Sequence, residues 1–130
     1  MIEEGRALFL QIAESIEDQI VEGSLAEESQ APSTNELAAF YRINPATAAK
    51  GVSMLVEKGV LYKRRGIGMF VAPGSRDRVL ETRRGVFSDR YLEPLLAEAR
   101  RLGLGPDDLV ALIRERADRT ESAPAERSAP

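Results

Sequence analysis

Phe9, Ile12, Ala13, Ile16 and Ile20 recur at spacings of three and four between Ala7 and Glu22, with Glu14, Glu17, Asp18 and Glu22 between them. That period predicts an amphipathic helix over 7–22 with an acidic outward face, closed by Gly23 just past its end. After an acidic loop around Glu27 and Glu28, Ser33 and Glu36 form an S-x-x-E capping box, each side chain satisfying the other residue's backbone N–H. A short helix therefore starts at Thr34, turns Leu37, Ala38 and Tyr41 inward, and ends near Arg42. Asn44-Pro45 follows at once and reads as an N-cap with proline at the first helical position, where its missing N–H costs nothing. The next helix runs from Pro45 to near Lys58 and stops at Gly59, with Ala48, Gly51, Val52 and Leu55 facing inward.

Two helices joined by so few residues must cross at a large angle, as in a helix-turn-helix. On the second of them Ala46, Thr47, Ala49, Lys50 and Ser53 face outward, a small and polar surface suited to entering a groove. Val60 to Arg64 and Met69 to Ala72 have strand composition and are joined by Arg65-Gly66-Ile67-Gly68, which predicts a hairpin with a basic, glycine-hinged tip. Lys63, Arg64 and Arg65 would serve as a solvated edge that discourages strand pairing. Directly after a helix-turn-helix they read better as a wing laid on a phosphate backbone.

From Ser75 the pattern is helical again, with Val79, Val86, Phe87, Tyr91, Leu92, Leu95, Leu96, Ala99 and Leu102 in register. Pro94 falls inside it and is expected to kink or split the helix, since its ring displaces the carbonyl four residues back. Gly103 ends this helix, and Pro106-Asp107-Asp108 starts another through Arg116. Phe87, Tyr91, Leu95, Leu96, Leu102, Leu109, Leu112 and Ile113 are more large apolar residues than two helices need to sit on a small domain. Some must face a second copy, which predicts a homodimer. Arg119 to Pro130 has no large apolar side chain and is expected to be a disordered tail. The expected fold is mostly α with a small β-hairpin. Its divisions are a winged helix-turn-helix over 1–74, a two-helix dimerisation region over 75–118, and the tail over 119–130.

Composition narrows the chemistry. The 130 residues include no Cys and no His, which removes thiolate and imidazole catalysis and the usual zinc sites, so no enzyme, metal or cofactor is expected. Asp107 and Asp108 sit in a first helical turn, where acids stabilise the macrodipole, and this outweighs a catalytic carboxylate pair. The formal charge of −3 conceals a division along the chain. Residues 1–30 hold one Arg against eight acids, whereas residues 31–75 hold six Lys/Arg against two Glu, and it is the local field that a polyanion meets. The N-terminus lacks a basic segment leading into an apolar one, and no apolar run approaches the roughly 18 residues of a membrane span, so a cytoplasmic protein without a membrane partner is expected.

The runs P-S-T-N-E-L-A, N-P-A-T-A-A-K-G-V-S-M-L and E-K-G-V-L-Y-K-R-R-G-I-G-M-F-V occur in that order. Together, from about Leu8 to Val71, they resemble the winged-helix domain of the GntR family of bacterial transcription regulators. The short helical remainder looks like the YtrA subfamily, whose two C-terminal helices dimerise. The resemblance implies a regulator, expected to be a repressor, that binds double-stranded DNA at an inverted-repeat operator. It carries DNA contact over to Ser33, Thr34 and Asn35, to Asn44, Ala46, Thr47 and Lys50 on the recognition helix, and to Arg64, Arg65, Gly66 and Gly68 in the wing. Asn35 and Pro45 stand where many members have Arg, so the operator sequence does not carry over. A winged helix that binds protein instead of specific DNA is the alternative; it calls for an apolar patch on the recognition helix, and Ala46, Ala49 and Met54 offer little of one. Nothing in the sequence names a small-molecule effector.

Overall fold

Helix α1 (Leu8–Glu22) opens the computed structural model, which describes residues 6–121. It turns Ile12, Ala13, Ile16 and Ile20 inward and ends at Gly23, whose φ of 92° lets its N–H reach back to the Gln19 and Ile20 carbonyls. Glu17, expected on the outward face, is buried instead, within 3.8 Å of both Lys58 and Arg83. Helix α2 (Thr34–Tyr41) begins at the predicted capping box: Glu36 N–H donates to Ser33 Oγ at 3.0 Å, and Ser33 N–H to Glu36 Oε1 at 2.8 Å. Arg42 then takes the left-handed conformation, φ 58°, and breaks the helix in a single residue. Helix α3 (Pro45–Glu57) follows with Asn44 Oδ1 accepting from Ala46 N–H at 2.7 Å and Pro45 opening the first turn.

Strands β1 (Leu61–Arg64) and β2 (Gly68–Val71) pair antiparallel from Leu61↔Val71 to Arg64↔Gly68. The loop after α1 covers the other edge of β2. Glu28 N–H donates to Val71 O, Val71 N–H to Ser29 O and Ala31 N–H to Met69 O, which satisfies backbone groups that an open edge would leave bare. Ile12, Ile16, Ile20, Leu37, Ala48, Val52, Leu55, Val60, Leu61, Val71 and Val79 form one hydrophobic core.

Val79 belongs to helix α4 (Ser75–Phe87), and the first compact unit runs on through Arg84. Polar contacts fasten the start of α4. The fully buried Ser75 donates its hydroxyl to Val60 O at 2.7 Å, and the Glu27 carboxylate accepts from the N–H groups of Gly74 and Arg76 at 3.0 and 3.2 Å. Arg78 donates to Gly59 O at 2.6 Å, and Arg83 pairs with Asp18 at 2.7 Å.

The second unit starts at Gly85. A π turn over Ser88–Leu92 leads into α5 (Glu93–Arg101), and Pro94 is taken up without a break: Phe87, Leu92 and Glu93 all keep helical dihedrals. Glu93 N–H bonds to Ser88 O, five residues back, so the wider turn absorbs the register that proline would otherwise interrupt. Gly103, φ 75°, closes α5, and Leu104 N–H returns to Ala99 O. Helix α6 (Pro106–Glu121) begins with Asp108 Oδ2 accepting from Gly105 N–H at 2.9 Å, so this carboxylate is a helix cap. The helix passes Arg119, where the composition predicts a tail, and continues to Glu121. Arg119 pairs with Glu115 at 3.0 Å, one turn back, and the Thr120 hydroxyl donates to Arg116 O. The rest of the expected tail, 122–130, lies outside the described residues.

Two backbone N–H groups hold the Glu27 carboxylate below the ordinary glutamate value of 4.5. A depressed folded-state value stabilises the fold above the unfolded pKa, and this contribution is lost as pH falls through the folded one. The stability advantage of the native protein over Glu27→Gln should therefore be present near about pH 7 and shrink toward about pH 3, read by thermal melting at both.

Candidate nucleic-acid interface

Three places in the first unit carry the residues singled out in the sequence. Helix α3 buries Ala48, Gly51, Val52 and Leu55, which leaves Ala46, Lys50 and Ser53 exposed and Thr47 and Ala49 half-buried on the other side. Gly51 is what allows α1 to lie against it. A Cβ at that position would stand 2.8 Å from the Phe9 carbonyl oxygen and 3.4 Å from Ile12. The same close approach places Lys50 Nζ 4.0 Å from the centre of the Phe9 ring, a cation–π contact that sequence reasoning missed. Asn44 spends its side chain on the helix cap and so fixes where α3 begins.

At the start of α2, Ser33 has both its hydroxyl and its N–H engaged in the capping box. Asn35 is exposed beside it and Thr34 is half-buried.

In the wing, Ile67 N–H donates to Arg64 O across the turn, and Gly66 adopts φ 77° with open space where a side chain would go. Gly68 has a different reason to be glycine. Its φ is 143°, and a Cβ would sit 2.7 Å from Gln30 Nε2, which donates to Ile67 O and ties the tip to the loop before α2. The two arginines at the tip also differ. Arg65 is exposed, whereas Arg64 folds back: its Nη2 and Nε donate to Tyr62 Oη at 2.8 and 3.2 Å, and its guanidinium lies 4.0 Å from the Phe70 ring. Tyr62 in turn donates to Glu28 at 2.6 Å. Spacing alone puts Tyr62 and Arg64 on one strand face, but Glu28 comes from a loop 34 residues earlier and left no local signal.

This arrangement of a crossing helix pair with a cationic hairpin can be compared with known proteins. The model of the gntR family of bacterial regulatory proteins matches residues 8–71. A crystal structure of a GntR-family transcriptional regulator from Bacteroides thetaiotaomicron is 30% identical, covers 88% of this chain and 99% of that one, and superposes with a TM-score of 0.76. The chain belongs to the GntR family. Its membership makes it a transcription regulator and not an enzyme. The transcriptional repressor YtrA of Bacillus subtilis is 23% identical over 83% of this chain and 82% of its own length. The chain also matches AraR(DBD), solved in complex with operator ORX1, at 27% identity and a TM-score of 0.50 over 55% of this chain and 93% of that one. No helix among the described residues of this GntR protein is long and apolar enough to cross a membrane.

In the second unit Phe87, Tyr91, Leu95, Leu102, Leu112 and Ile113 are all exposed, with Leu102 at 64% and Phe87 at 61%. Phe87 and Tyr91 pack with ring centres 5.6 Å apart and ring planes tilted by 51°. Leu95, Leu109, Leu112 and Ile113 line an open apolar groove of about 460 Å³ together with Glu115, Arg116 and Ala117. Leu96 is half-buried, and Leu109, at 8% exposure, is largely covered by its own chain and offers a partner little surface.

The seating of α3 on α1 yields a prediction. Gly51→Ala gains helix propensity but drives a methyl group into the Phe9 carbonyl, and such overpacking costs about 1–3 kcal/mol. Denaturant titration should show that net loss; a stabilised variant would contradict the close approach.

Proposed function

We propose that this GntR-family protein is a cytoplasmic repressor that binds an inverted-repeat operator as a homodimer. The observation that carries the DNA reading is the outward face of α3. It is small and polar around the cation Lys50, on a fold that also matches AraR(DBD) in its complex with operator ORX1. Such a face fits a major groove without collision, and Lys50 can donate to guanine O6 or N7. Thr47 stands near the α3 N-terminus, where the helix dipole favours a phosphate and the Thr47 hydroxyl can donate to it. Thr34 and Asn35 at the start of α2 and Arg64, Arg65 and Gly66 in the wing hold the register on the backbone. Repression is carried over from the name of YtrA.

The homodimer rests on the exposed apolar side chains of the second unit. Burial of a large apolar side chain contributes roughly 1.5–3 kcal/mol, so a few from each protomer offset the several kcal/mol that association costs. The groove holding Leu95, Leu112 and Ile113 is the centre of that contact. A twofold axis then presents two recognition helices to two half-sites, which is why the operator must be palindromic.

Selection of duplexes from a randomised pool should return an inverted repeat. Against single-base variants of it, Lys50→Ala should cost about 1–3 kcal/mol per half-site with the loss concentrated at one base position. A uniform loss over all variants would make Lys50 a phosphate contact instead.

The double variant Leu112→Asp/Ile113→Asp should sediment as a monomer. It should bind the selected duplex at least about tenfold more weakly while keeping its helical far-UV signal, since both side chains are exposed in the single chain. A variant that stays dimeric would move the interface elsewhere.

A further inference from the structure

We propose that Tyr62 is a positioning residue for the wing, holding Arg64 in the pose in which it meets a DNA phosphate, with Glu28 setting the direction of the Tyr62 hydroxyl. This rests on the DNA reading above and adds to it the division of labour among the wing cations.

A phenol has one proton to give. Tyr62 gives it to Glu28 Oε1 at 2.6 Å, which leaves only lone pairs facing the other way, and there Arg64 donates twice, from Nη2 at 2.8 Å and Nε at 3.2 Å. Phe70, the cross-strand partner of Tyr62, supports the flat side of the guanidinium at 4.0 Å from its ring centre. Glu28 is itself pinned to the sheet through its N–H bond to Val71 O. The whole shell is thus carried by the hairpin and by the loop paired along it. Arginine has a fork of five N–H donors, so one edge on Tyr62 leaves the other edge free to take a phosphate oxygen.

Glu28 lies 3.9 Å from Arg64 and offsets part of its charge, whereas Lys63 and Arg65 have no ion pair among the described residues. Lys63 and Arg65 therefore supply the wing's attraction to a polyanion, and Arg64 supplies direction. A guanidinium already held in place loses less side-chain freedom on binding, and that saving is what Tyr62 provides.

The test uses the full chain and the duplex it selects from a randomised pool. Tyr62→Phe keeps the ring and the net charge and removes only the hydroxyl. It should weaken binding about three- to tenfold per wing, while the slope of log K against log salt stays at the native value. Arg64→Ala should weaken binding and also flatten that slope, by about 0.9 for each phosphate that is no longer neutralised. Adding Tyr62→Phe to Arg64→Ala should cost nothing more, because the group being positioned is gone. Melting curves confirm that each variant is folded, and the retained ring makes Tyr62→Phe the conservative member of the set. Native affinity in Tyr62→Phe, or a loss fully additive with Arg64→Ala, would overturn the positioning role while leaving the DNA reading intact. If the native chain selects no duplex, the DNA reading itself fails.

Discussion

How closely α1 and α3 approach at Gly51 governs the whole of the first unit. With a backbone carbonyl 2.8 Å from where a side chain would begin, the helices lie closer than any other residue permits. That approach brings Ile12, Ile16 and Ile20 into one core with Ala48, Val52 and Leu55, and it settles which side of α3 is left for solvent. The side left over is the one carrying Lys50, and the same closeness sets the Phe9 ring beneath its ammonium group. Packing on the inner face and chemistry on the outer face are therefore one decision, made by the rotation of a single helix.

Around this core the charged residues act as fasteners more than as a solvated surface. Glu27 caps α4 from a loop 47 residues earlier in the chain, and Glu17 lies buried between Lys58 and Arg83. An unpaired carboxylate at that depth would be costly, so the two cations are needed for α1 to present an acid there. The acidic first 30 residues and the basic segments that follow, opposed along the sequence, are thereby brought together, and part of the formal charge is spent inside the fold. What remains uncompensated in the wing is Lys63 and Arg65, while Arg64 is held in a shell of Tyr62, Glu28 and Phe70.

The second unit has the opposite character. Gly103 closes α5, Asp108 caps α6, and the ion pairs Arg101–Glu98 and Arg119–Glu115 run along the helices, yet only Ala99 and Leu109 among the unit's described apolar residues are buried. Local interactions make the helices, and most of their large apolar side chains stay exposed in one chain. A surface of that kind is stable in water when a second surface covers it, which is the physical basis for reading it as a dimer interface.

Nearly every element start and stop was open to sequence reasoning, because each is decided within a few residues: Ser33 with Glu36, Asn44 with Pro45, Gly23 and Gly103 at helix ends, and the inward stripe of α3. The resemblance to the GntR pattern rests on the same local signals, since caps, turn and wing follow one another in order. The side chain of Glu17 escaped that reasoning, as did the cap from Glu27, the Phe9–Lys50 contact and the Glu28–Tyr62–Arg64 chain. In each case the partner lies far away in sequence, and a charged or aromatic residue alone does not say what it will meet. The continuation of α6 past Arg119 escaped for a subtler reason: its last turn is held by polar pairs on the helix itself, which an apolar period does not register. Periodicity and capping are properties of a segment and can be read from it. Which carboxylate is buried, and which arginine is held back, depends on how close two segments come, and that distance exists only in the tertiary structure.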